Sequence, residues 1–270
     1  MTRVATLSCL LLIGASVSTA AITLVSVEQE IAIGRQANAG MQKQMPELRD
    51  PEIAEYVRSI GRRLTAVAPG PKYPYSFRVV NYREINAFAL PGGPIWVHRG
   101  VLQAATNESQ VAGVMAHEVA HIAQRHAADQ LTKSMITNLG LGLFSALLGN
   151  SGGADTARQA AGLLANGAAL KFSRDDEREA DLVGLRMMAR AGWDGRGMLE
   201  LFETLRRESR RDPGTLEVYL SSHPAPQERI KELQPQVAHH TGGRRDSGQF
   251  QAIKARLRTL PAPRRVGERP

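Results

Sequence analysis

The segment HEVAH, which contains His117, Glu118 and His121, has the residue types and spacing that metal chemistry requires. Residues four apart on an α-helix are separated by about 40° around its axis, so both imidazoles can reach one ion. Glu118 lies about 100° round from His117 and is placed to accept a proton from a metal-bound water instead of binding the metal. A polar stripe on an ordinary helix is the alternative. The apolar neighbours of the motif argue against it, because buried His and Glu side chains need partners.

A catalytic zinc site of this type needs a third protein ligand and leaves the fourth position for water. In the segment SRDDEREAD, Glu177 and Asp181 are four residues apart and therefore share a helix face. We expect Glu177 to bind the metal and Asp181 to hydrogen-bond behind one of the histidines. Ala180 and Gly184 are small enough to let the two helices approach closely, and Glu179 should face away. A solvated acidic first turn is the alternative, but it suits Asp181 poorly because apolar residues follow it.

The sequence offers further histidines as candidates for the same site. His223 stands in SSHPAPQERI, before a proline-marked helix start, on a loop that could reach the metal. It could polarise a substrate carbonyl or occupy the open coordination position, and a simple turn histidine is the alternative. His126 is nine residues from His117, about half a turn off the site, which predicts a surface or packing residue. His98, His239 and His240 receive no role.

The elements that must position these residues predict an α+β fold that is predominantly helical. Apolar residues recur at near-helical spacing over 28–45 and again after the N-cap residue Asp50. Strand-forming residues around the turn PGGP predict a small sheet over 75–98, in which Pro94 and the glycines suit an exposed edge strand. Three further helices are predicted. One begins near Asn107, whose side chain can cap it, and runs to about Gln130. The second is a capped helix from Ser173 to Gly192, and the third runs from about Asp194 to Arg210.

The N-terminal segment differs in composition from the rest of the chain. Residues 1–20 contain one early arginine, an apolar stretch, and small residues at positions 18 and 20. This pattern predicts a secretory signal peptide that is cleaved after about Ala20, with an uncleaved anchor as the alternative. Cleavage would remove Cys9, the single cysteine, so disulfides and thiolate ligands are excluded from the mature chain.

The C-terminal segment, residues 239–270, is predicted to be a basic and partly disordered tail. From His240 onward it carries eight basic and two acidic residues, which is +6 of the total net charge of +8. A solvated tail and a contact with anionic lipid are both compatible with this charge. Because no motif with interleaved aromatic residues accompanies it, no nucleic-acid partner is expected. Residues 135–170 are rich in Gly, Ala and Leu, and their apolar run is too short to span a bilayer, which favours a helical hairpin or flap.

The joint pattern resembles family 48 of the metallopeptidases, which includes the heat-shock protease HtpX and the CAAX prenyl protease. HExxH, then ExxAD followed by glycine, with NAFALPGG before both, is similar to that family over roughly residues 28–235. The resemblance implies a gluzincin-type metallopeptidase domain over 21–238, with one Zn²⁺ held by His117, His121 and Glu177 and a site that His223 can close. It also implies that substrate adds as an extended strand beside an exposed edge strand next to the active-site helix. The implied substrate-binding residues are Asn86, Ala87, Phe88, Ala89, Gly92 and Gly93.

The predicted signal peptide, the opening EIAIGRQA and the segment SSHPAPQERI resemble soluble periplasmic members of that family. This resemblance implies an exported zinc endopeptidase with Glu118 as its base. The implied partners are misfolded or stalled envelope proteins and the outer-membrane assembly machinery, and the charge of the basic tail adds a membrane surface as a partner. Longer relatives continue into a tetratricopeptide-repeat domain, whereas about one helix is expected after residue 245, so docking through such repeats is not expected. Two alternatives are a chaperone-like protein with a closed structural zinc site and a membrane-surface protein that acts through residues 139–149 and the basic tail.

Overall fold

The structure is a computed structural model that describes residues 25–139, 171–223 and 226–268. The predicted signal peptide and most of the Gly-, Ala- and Leu-rich segment lie outside these residues. Within them, the fold is α+β and predominantly helical with one three-stranded sheet, as the sequence predicts. No helix in the described ranges is both long enough and apolar enough to cross a membrane.

Two N-terminal helices, α1 (Val27–Gln44) and α2 (Pro51–Thr65), begin at well-formed caps. The Asp50 carboxylate accepts hydrogen bonds from the backbone N–H groups of Glu52 and Ile53, both at 3.1 Å. This satisfies two of the amide donors that a helix start leaves unpaired. The apolar face of α2 is buried against the sheet. The predicted cap and apolar face are therefore confirmed.

The sheet contains β1 (Ser76–Val80), β2 (Ala87–Ala89) and β3 (Pro94–His98) in the order β1-β3-β2. β3 pairs in parallel with β1 and antiparallel with β2. The assignment of Pro94 to an edge strand is wrong, because Pro94 begins the buried central strand. Proline is tolerated at the first position of a strand, where its missing N–H removes no essential ladder bond. The edge strand on the side of NAFAL is β2.

The helix that carries HEVAH is α4 (Glu108–Ala123), and each of its residues is buried. Asn107 caps it as predicted, because the Asn107 side chain accepts a hydrogen bond from the backbone N–H of Gln110. α4 contacts β2 and lies against two later helices, α6 (Arg174–Arg190) and α7 (Arg196–Ser209). A helix that is apolar on most sides requires this kind of enclosure.

α4 ends earlier than predicted, so the expectation of one helix reaching Gln130 is wrong. After Ala123 the chain turns, and a separate helix, α5, covers His126–Leu139. Arg125 has φ of 64°, in the left-handed region that non-glycine residues seldom adopt. Its side chain anchors the turn, because Arg125 Nε donates to Glu30 Oε1 at 2.6 Å and Nη2 donates to the Val25 carbonyl. Neither contact is visible in the local sequence pattern.

The close approach of α6 to α4 agrees with the prediction from small residues. Ser173 caps α6, and a Cβ added at Gly184 would lie 3.1 Å from both Ala116 C and His117 N. That distance is shorter than an ordinary carbon contact, so the α4 backbone occupies the space that a side chain would need. Ala180 in the same interface is fully buried. The small residues therefore allow the acidic face of α6 to reach the histidines of α4.

The C-terminal region is packed onto this core. The remaining described helices are α3 (Arg99–Ala104), α8 (Pro213–Leu220), α9 (Pro226–Val237), the 3-10 helix Ala238–His240 and α10 (Gly248–Thr259). α10 buries Phe250, Ile253 and Leu257. Arg99 holds its end, because Arg99 Nη2 donates to the Leu257 carbonyl at 2.8 Å. The single helix expected after residue 245 is therefore present, within a segment that the sequence predicts to be only partly ordered.

Replacing Phe250 with Ala tests whether this helix belongs to the core. We expect Phe250→Ala to lower the free energy of unfolding by about 3 to 5 kcal/mol, because it removes a buried ring and leaves a cavity. The neighbouring Gln251 is exposed, so Gln251→Ala should change the free energy by less than about 0.5 kcal/mol. Urea denaturation of both variants provides the measurement. Equal small effects would show that α10 is not part of the folded core.

Candidate metal centre

Four buried side chains converge beside the middle of α4. His117, His121, Glu177 and His223 each offer a ligand atom, and these atoms all lie within 4.8 Å of one another. The Nε2 atoms of His117 and His121 are 3.0 Å apart, so both rings direct the same nitrogen to one point. This convergence follows from the i, i+4 spacing on a helix. The structure therefore brings together the imidazole pair that the HEVAH spacing predicts.

Glu177 reaches the imidazole pair from the neighbouring helix, α6. Its Oε2 lies 3.5 Å from His117 Nε2, and its Oε1 lies 3.5 Å from His121 Nε2. The side chain is 1% exposed, although Glu177 is only the fourth residue of its helix. Solvent would surround this residue in an isolated helix. Its burial comes from the contact between α6 and α4, which places the carboxylate over both rings.

Asp181 lies one turn after Glu177 and contacts the outer side of His117. Asp181 Oδ1 is 2.9 Å from His117 Nδ1, so the carboxylate can accept a hydrogen bond from that nitrogen and orient the ring. The arrangement matches the geometry that the sequence predicts for Asp181. Burial acts to raise the pKa of Asp181, but the adjacent Arg229 guanidinium more than offsets it and holds the pKa below its usual range.

Arg229, from α9, is a buried cation that the sequence pattern does not reveal. Its Nε donates to Asp181 Oδ2 at 2.8 Å and its Nη2 donates to Asp181 Oδ1 at 2.5 Å. Its Nη1 lies 2.8 Å from Glu177 Oε2 and also donates to the Tyr219 hydroxyl. Arg229 therefore bridges the two acids of α6. An arginine in the ordinary helical segment PQERIK carries no signal that distinguishes it from a solvated one.

Glu118 lies beside the cluster without contacting its centre directly. It is 1% exposed, its Oε1 is 3.5 Å from His223 Nε2, and its Oε2 has no hydrogen-bond partner among the described residues. Burial raises the pKa of Glu118, because desolvation disfavours the ionised carboxylate. An unpartnered carboxylate oxygen in a buried site is costly unless it faces a group that the site is built to receive.

His223 is a buried member of the cluster and not a solvent-exposed turn histidine. It follows α8, and its backbone N–H donates to the Tyr219 carbonyl at 3.0 Å while its ring stacks on the Tyr219 ring. His223 Nδ1 lies 2.9 Å from Glu177 Oε1. Burial acts to lower the pKa of His223, but the Glu177 carboxylate beside it raises the pKa above its usual value.

The donor set fits a divalent zinc ion on two grounds. A tetrahedron with bonds of about 2.1 Å to nitrogen and oxygen has edges of about 3.4 Å. The separations in the cluster lie on both sides of that value, with 3.0 Å between the two histidine Nε2 atoms and 3.5 Å from each Nε2 to the nearer Glu177 oxygen. The charges also fit. Three buried carboxylates, at Glu118, Glu177 and Asp181, face one buried guanidinium at Arg229. The buried carboxylates therefore outnumber the buried guanidinium, and a divalent cation would offset their excess negative charge.

The predicted substrate-binding residues divide into two groups. Asn86 and Ala87 line the same cavity as His117, Glu118 and His223. Phe88 instead stacks on Trp96, with ring centroids 6.4 Å apart.

The other members, Ala89, Gly92 and Gly93, are not among the residues that line this cavity. Gly92 and Gly93 have positive φ, and a Cβ at Gly92 would meet the α1 backbone while one at Gly93 would meet Pro74 O. The turn and this close packing explain why glycine occupies positions 92 and 93.

His126 lies closer to the site than a continuous helix predicts. It is 2% exposed, and its Nδ1 lies 2.9 Å from Nδ1 of His121. Of the two expectations for His126, a surface residue is wrong and a packing residue agrees with its burial. The expected half-turn displacement from the site is also wrong, because the turn at Arg125 redirects the chain before His126. Glu179 is half-exposed and absent from the central cluster, as predicted, but it contacts His126. Phe172 stacks on His121 with ring centroids 3.9 Å apart.

A mainly helical fold with HExxH and a glutamate from a second helix, all buried around one point, defines a zincin-like metallopeptidase. Residues 51–237 match the description Peptidase family M48, and the chain belongs to this family. The resemblance stated from the motifs is therefore confirmed.

Three relatives extend the comparison. The chain is 34% identical over 218 residues to the beta-barrel assembly-enhancing protease of Escherichia coli (strain K12), covering 78% of the chain and 44% of the relative. It is 32% identical over 180 residues to the mitochondrial metalloendopeptidase OMA1 of Schizosaccharomyces pombe, covering 66% and 51%. It is 28% identical over 193 residues to the metalloprotease YcaL of Escherichia coli (strain K12), covering 69% and 74%. The chain thus spans less than half the length of the first relative.

Removing the buried guanidinium tests the charge balance of the site. We expect Arg229→Met to lower the free energy of unfolding of the metal-free protein by about 3 to 5 kcal/mol, because Asp181 and Glu177 lose their buried counter-charge. Arg178 pairs with Glu232 through two hydrogen bonds on the surface. Arg178→Met should therefore cost less than about 1 kcal/mol. Chemical denaturation compares the two, and equal costs would contradict a special role for Arg229.

Proposed function

We propose that the chain is a zinc-dependent endopeptidase whose metal is held by His117, His121 and Glu177. The observation that carries this proposal is the position of the Glu177 carboxylate, 3.5 Å from Nε2 of both histidines in a buried site. Two imidazoles and one carboxylate form a common ligand set of catalytic zinc and leave one position open. Membership of peptidase family M48 supports the same function.

The proposed mechanism assigns proton transfer to Glu118. Bound zinc would supply Lewis-acid activation of the attacking water and polarisation of the substrate carbonyl. Glu118 accepts the proton from the attacking water and passes it to the leaving amine. Burial suits Glu118 to both steps, because a raised pKa brings a carboxylate nearer to the working pH. Asp181, held by Arg229, keeps the His117 ring oriented with Nε2 toward the metal.

Two roles are open for His223, and they correspond to two functional states. As a fourth ligand it would close the site, which its position within 4.8 Å of the other donors supports. As a mobile group it would polarise the substrate carbonyl, which its 3.5 Å separation from Glu118 supports. A chain that stays permanently closed would be a chaperone-like or latent binding protein with a structural zinc site. This is the second candidate function.

The proposed substrates are misfolded or stalled proteins of a bacterial envelope. The name of the Escherichia coli relative, a beta-barrel assembly-enhancing protease, supports this substrate class and supports the outer-membrane assembly machinery as a partner. The proposed location is the periplasm, reached by export and with peripheral contact to a membrane through the basic segment; the predicted signal peptide at residues 1–20 supports export. Substrate would lie extended beside β2, where Asn86 and Ala87 line the site cavity.

Two isosteric substitutions separate metal binding from proton transfer. Glu118→Gln should retain one zinc per chain but lose at least about 10²-fold in peptide cleavage, because the amide cannot accept the proton. Glu177→Gln should lose zinc, because the neutral amide is a poor ligand and the charge balance changes. Metal analysis of the purified proteins and cleavage of a casein substrate provide the measurements. Equal zinc content in wild type and Glu177→Gln would remove the proposed third ligand, and full activity of Glu118→Gln would remove the base.

Replacing His223 with Ala separates the two candidate functions. If His223 closes a latent peptidase, His223→Ala should increase casein cleavage, because the fourth coordination position opens to water. A loss of cleavage with unchanged zinc content would assign the carbonyl-polarising role instead. Absence of cleavage in both proteins, with zinc bound in each, would favour the chaperone-like function. His239→Ala, at an exposed histidine, serves as the control and should match wild type.

A further inference from the structure

Each imidazole of the proposed zinc site has one nitrogen facing the cluster and one facing away. The outward nitrogen of His117, Nδ1, is matched by Asp181 at 2.9 Å. The outward nitrogen of His121, Nδ1, is instead 2.9 Å from Nδ1 of His126. The second nitrogen of His126, Nε2, is 3.3 Å from Glu179 Oε2. The two histidines therefore have different outer partners, and the pair His126–Glu179 serves His121.

The hydrogen-bond directions in this chain of groups are mutually consistent. A neutral imidazole has one N–H donor and one acceptor nitrogen. When His121 uses Nε2 as the metal-binding nitrogen, its proton is on Nδ1, which donates to Nδ1 of His126. The proton of His126 is then on Nε2, which donates to the Glu179 carboxylate. Each atom has one role, so His126 selects the His121 tautomer that metal binding needs.

We propose that His126, anchored by Glu179, is a positioning residue that sets the tautomer and ring orientation of His121 for metal binding. The proposal rests on the proposed function, because it presumes that His121 is a zinc ligand. Outer partners of metal-binding histidines commonly hold the ring in place and raise its basicity. Here the imidazole of His126 connects His121 to the carboxylate of Glu179, which lies at the surface with 52% of its side chain exposed.

The backbone turn after α4 is what delivers His126 to this position. Had α4 continued unbroken, residue 126 would lie about half a turn away from residue 117. Instead Arg125 takes the left-handed conformation, and its bond to Glu30 ties the turn to α1. α5 then begins at His126, which is 2% exposed and whose ring lies 4.9 Å from the His121 ring between centroids, with an interplanar angle of 75°. The left-handed conformation of Arg125 therefore places His126 beside His121.

The His121 ring is held by two separate contacts, one on its face from Phe172 and one at its Nδ1 atom from His126. Phe172, just before α6, stacks on His121 with an interplanar angle of 22°. Stacking restricts the tilt of the ring but leaves the two nitrogen positions exchangeable by a ring flip. The hydrogen bond with His126 distinguishes the two nitrogens, because the flipped ring would lose its partner. Packing alone therefore does not replace the proposed role of His126.

The test measures zinc affinity of the whole purified protein by competition with a chromogenic chelator at one fixed pH. His126→Phe keeps a ring of similar volume but removes both nitrogens, and we expect its zinc Kd to rise by about 10- to 100-fold. His126→Asn places an amide oxygen near the position of Nδ1, so it should restore the Kd to within about fivefold of wild type. Glu179→Gln should raise the Kd by about threefold. His239→Phe, at an exposed histidine, is the matched control and should leave the Kd unchanged.

Thermal unfolding of the metal-free proteins separates positioning from simple packing. A positioning role predicts a metal-free Tm for His126→Phe close to that of wild type, with the loss confined to zinc binding. A lowered metal-free Tm with an unchanged zinc Kd would overturn the proposal. If His126→Phe does not fold, Glu179→Gln provides the test, because Glu179 is exposed and its replacement should not affect folding. An unchanged zinc Kd in Glu179→Gln would then overturn the proposal. Absence of zinc binding in wild type would defeat the proposed function itself, which is a distinguishable result.

Discussion

The close packing of α6 on α4 is the constraint on which the rest of the site depends. It requires that the α6 backbone at Gly184 lie against the α4 backbone near His117, where even a Cβ atom would be crowded. Only at this separation can the carboxylate of Glu177 reach Nε2 of both histidines. The contact buries acids from the first two turns of α6 that would otherwise be solvated. A local helix–helix distance therefore determines whether a metal site exists.

Burial of these acids creates an electrostatic problem that the structure addresses from a third element. Ionised carboxylates at Glu118, Glu177 and Asp181 are expensive in a water-poor environment. Arg229, from α9, offsets part of that charge and fixes the two acids of α6 relative to each other. The carboxylates still outnumber the guanidinium, so the same burial that disfavours the metal-free site would favour a bound cation. Stability and metal binding are coupled through this balance.

Much of the fold can be predicted from periodicity and caps. Asp50, Asn107 and Ser173 cap helices where the sequence predicts them, because capping depends on a side chain and the first few amides of its own helix. The predictions from sequence are wrong where contacts between residues far apart in the chain determine the position or the end of an element. Pro94 begins a central strand because β1 pairs beside it, and α4 ends at Ala123 because Arg125 reaches Glu30. The packing of α10 depends on Arg99, more than 150 residues earlier.

The same division applies to the site. The sequence alone determined that His117 and His121 face one point, that Glu118 lies to the side, and that Glu177 and Asp181 share a helix face, because these relations are set by helical geometry over four residues. It also determined the family, through the combination of motifs. Only the tertiary structure decided that Arg229 lies between the two acids and that His126 contacts His121. Those contacts join residues through a left-handed turn or across separate helices, and no local periodicity records how such elements meet.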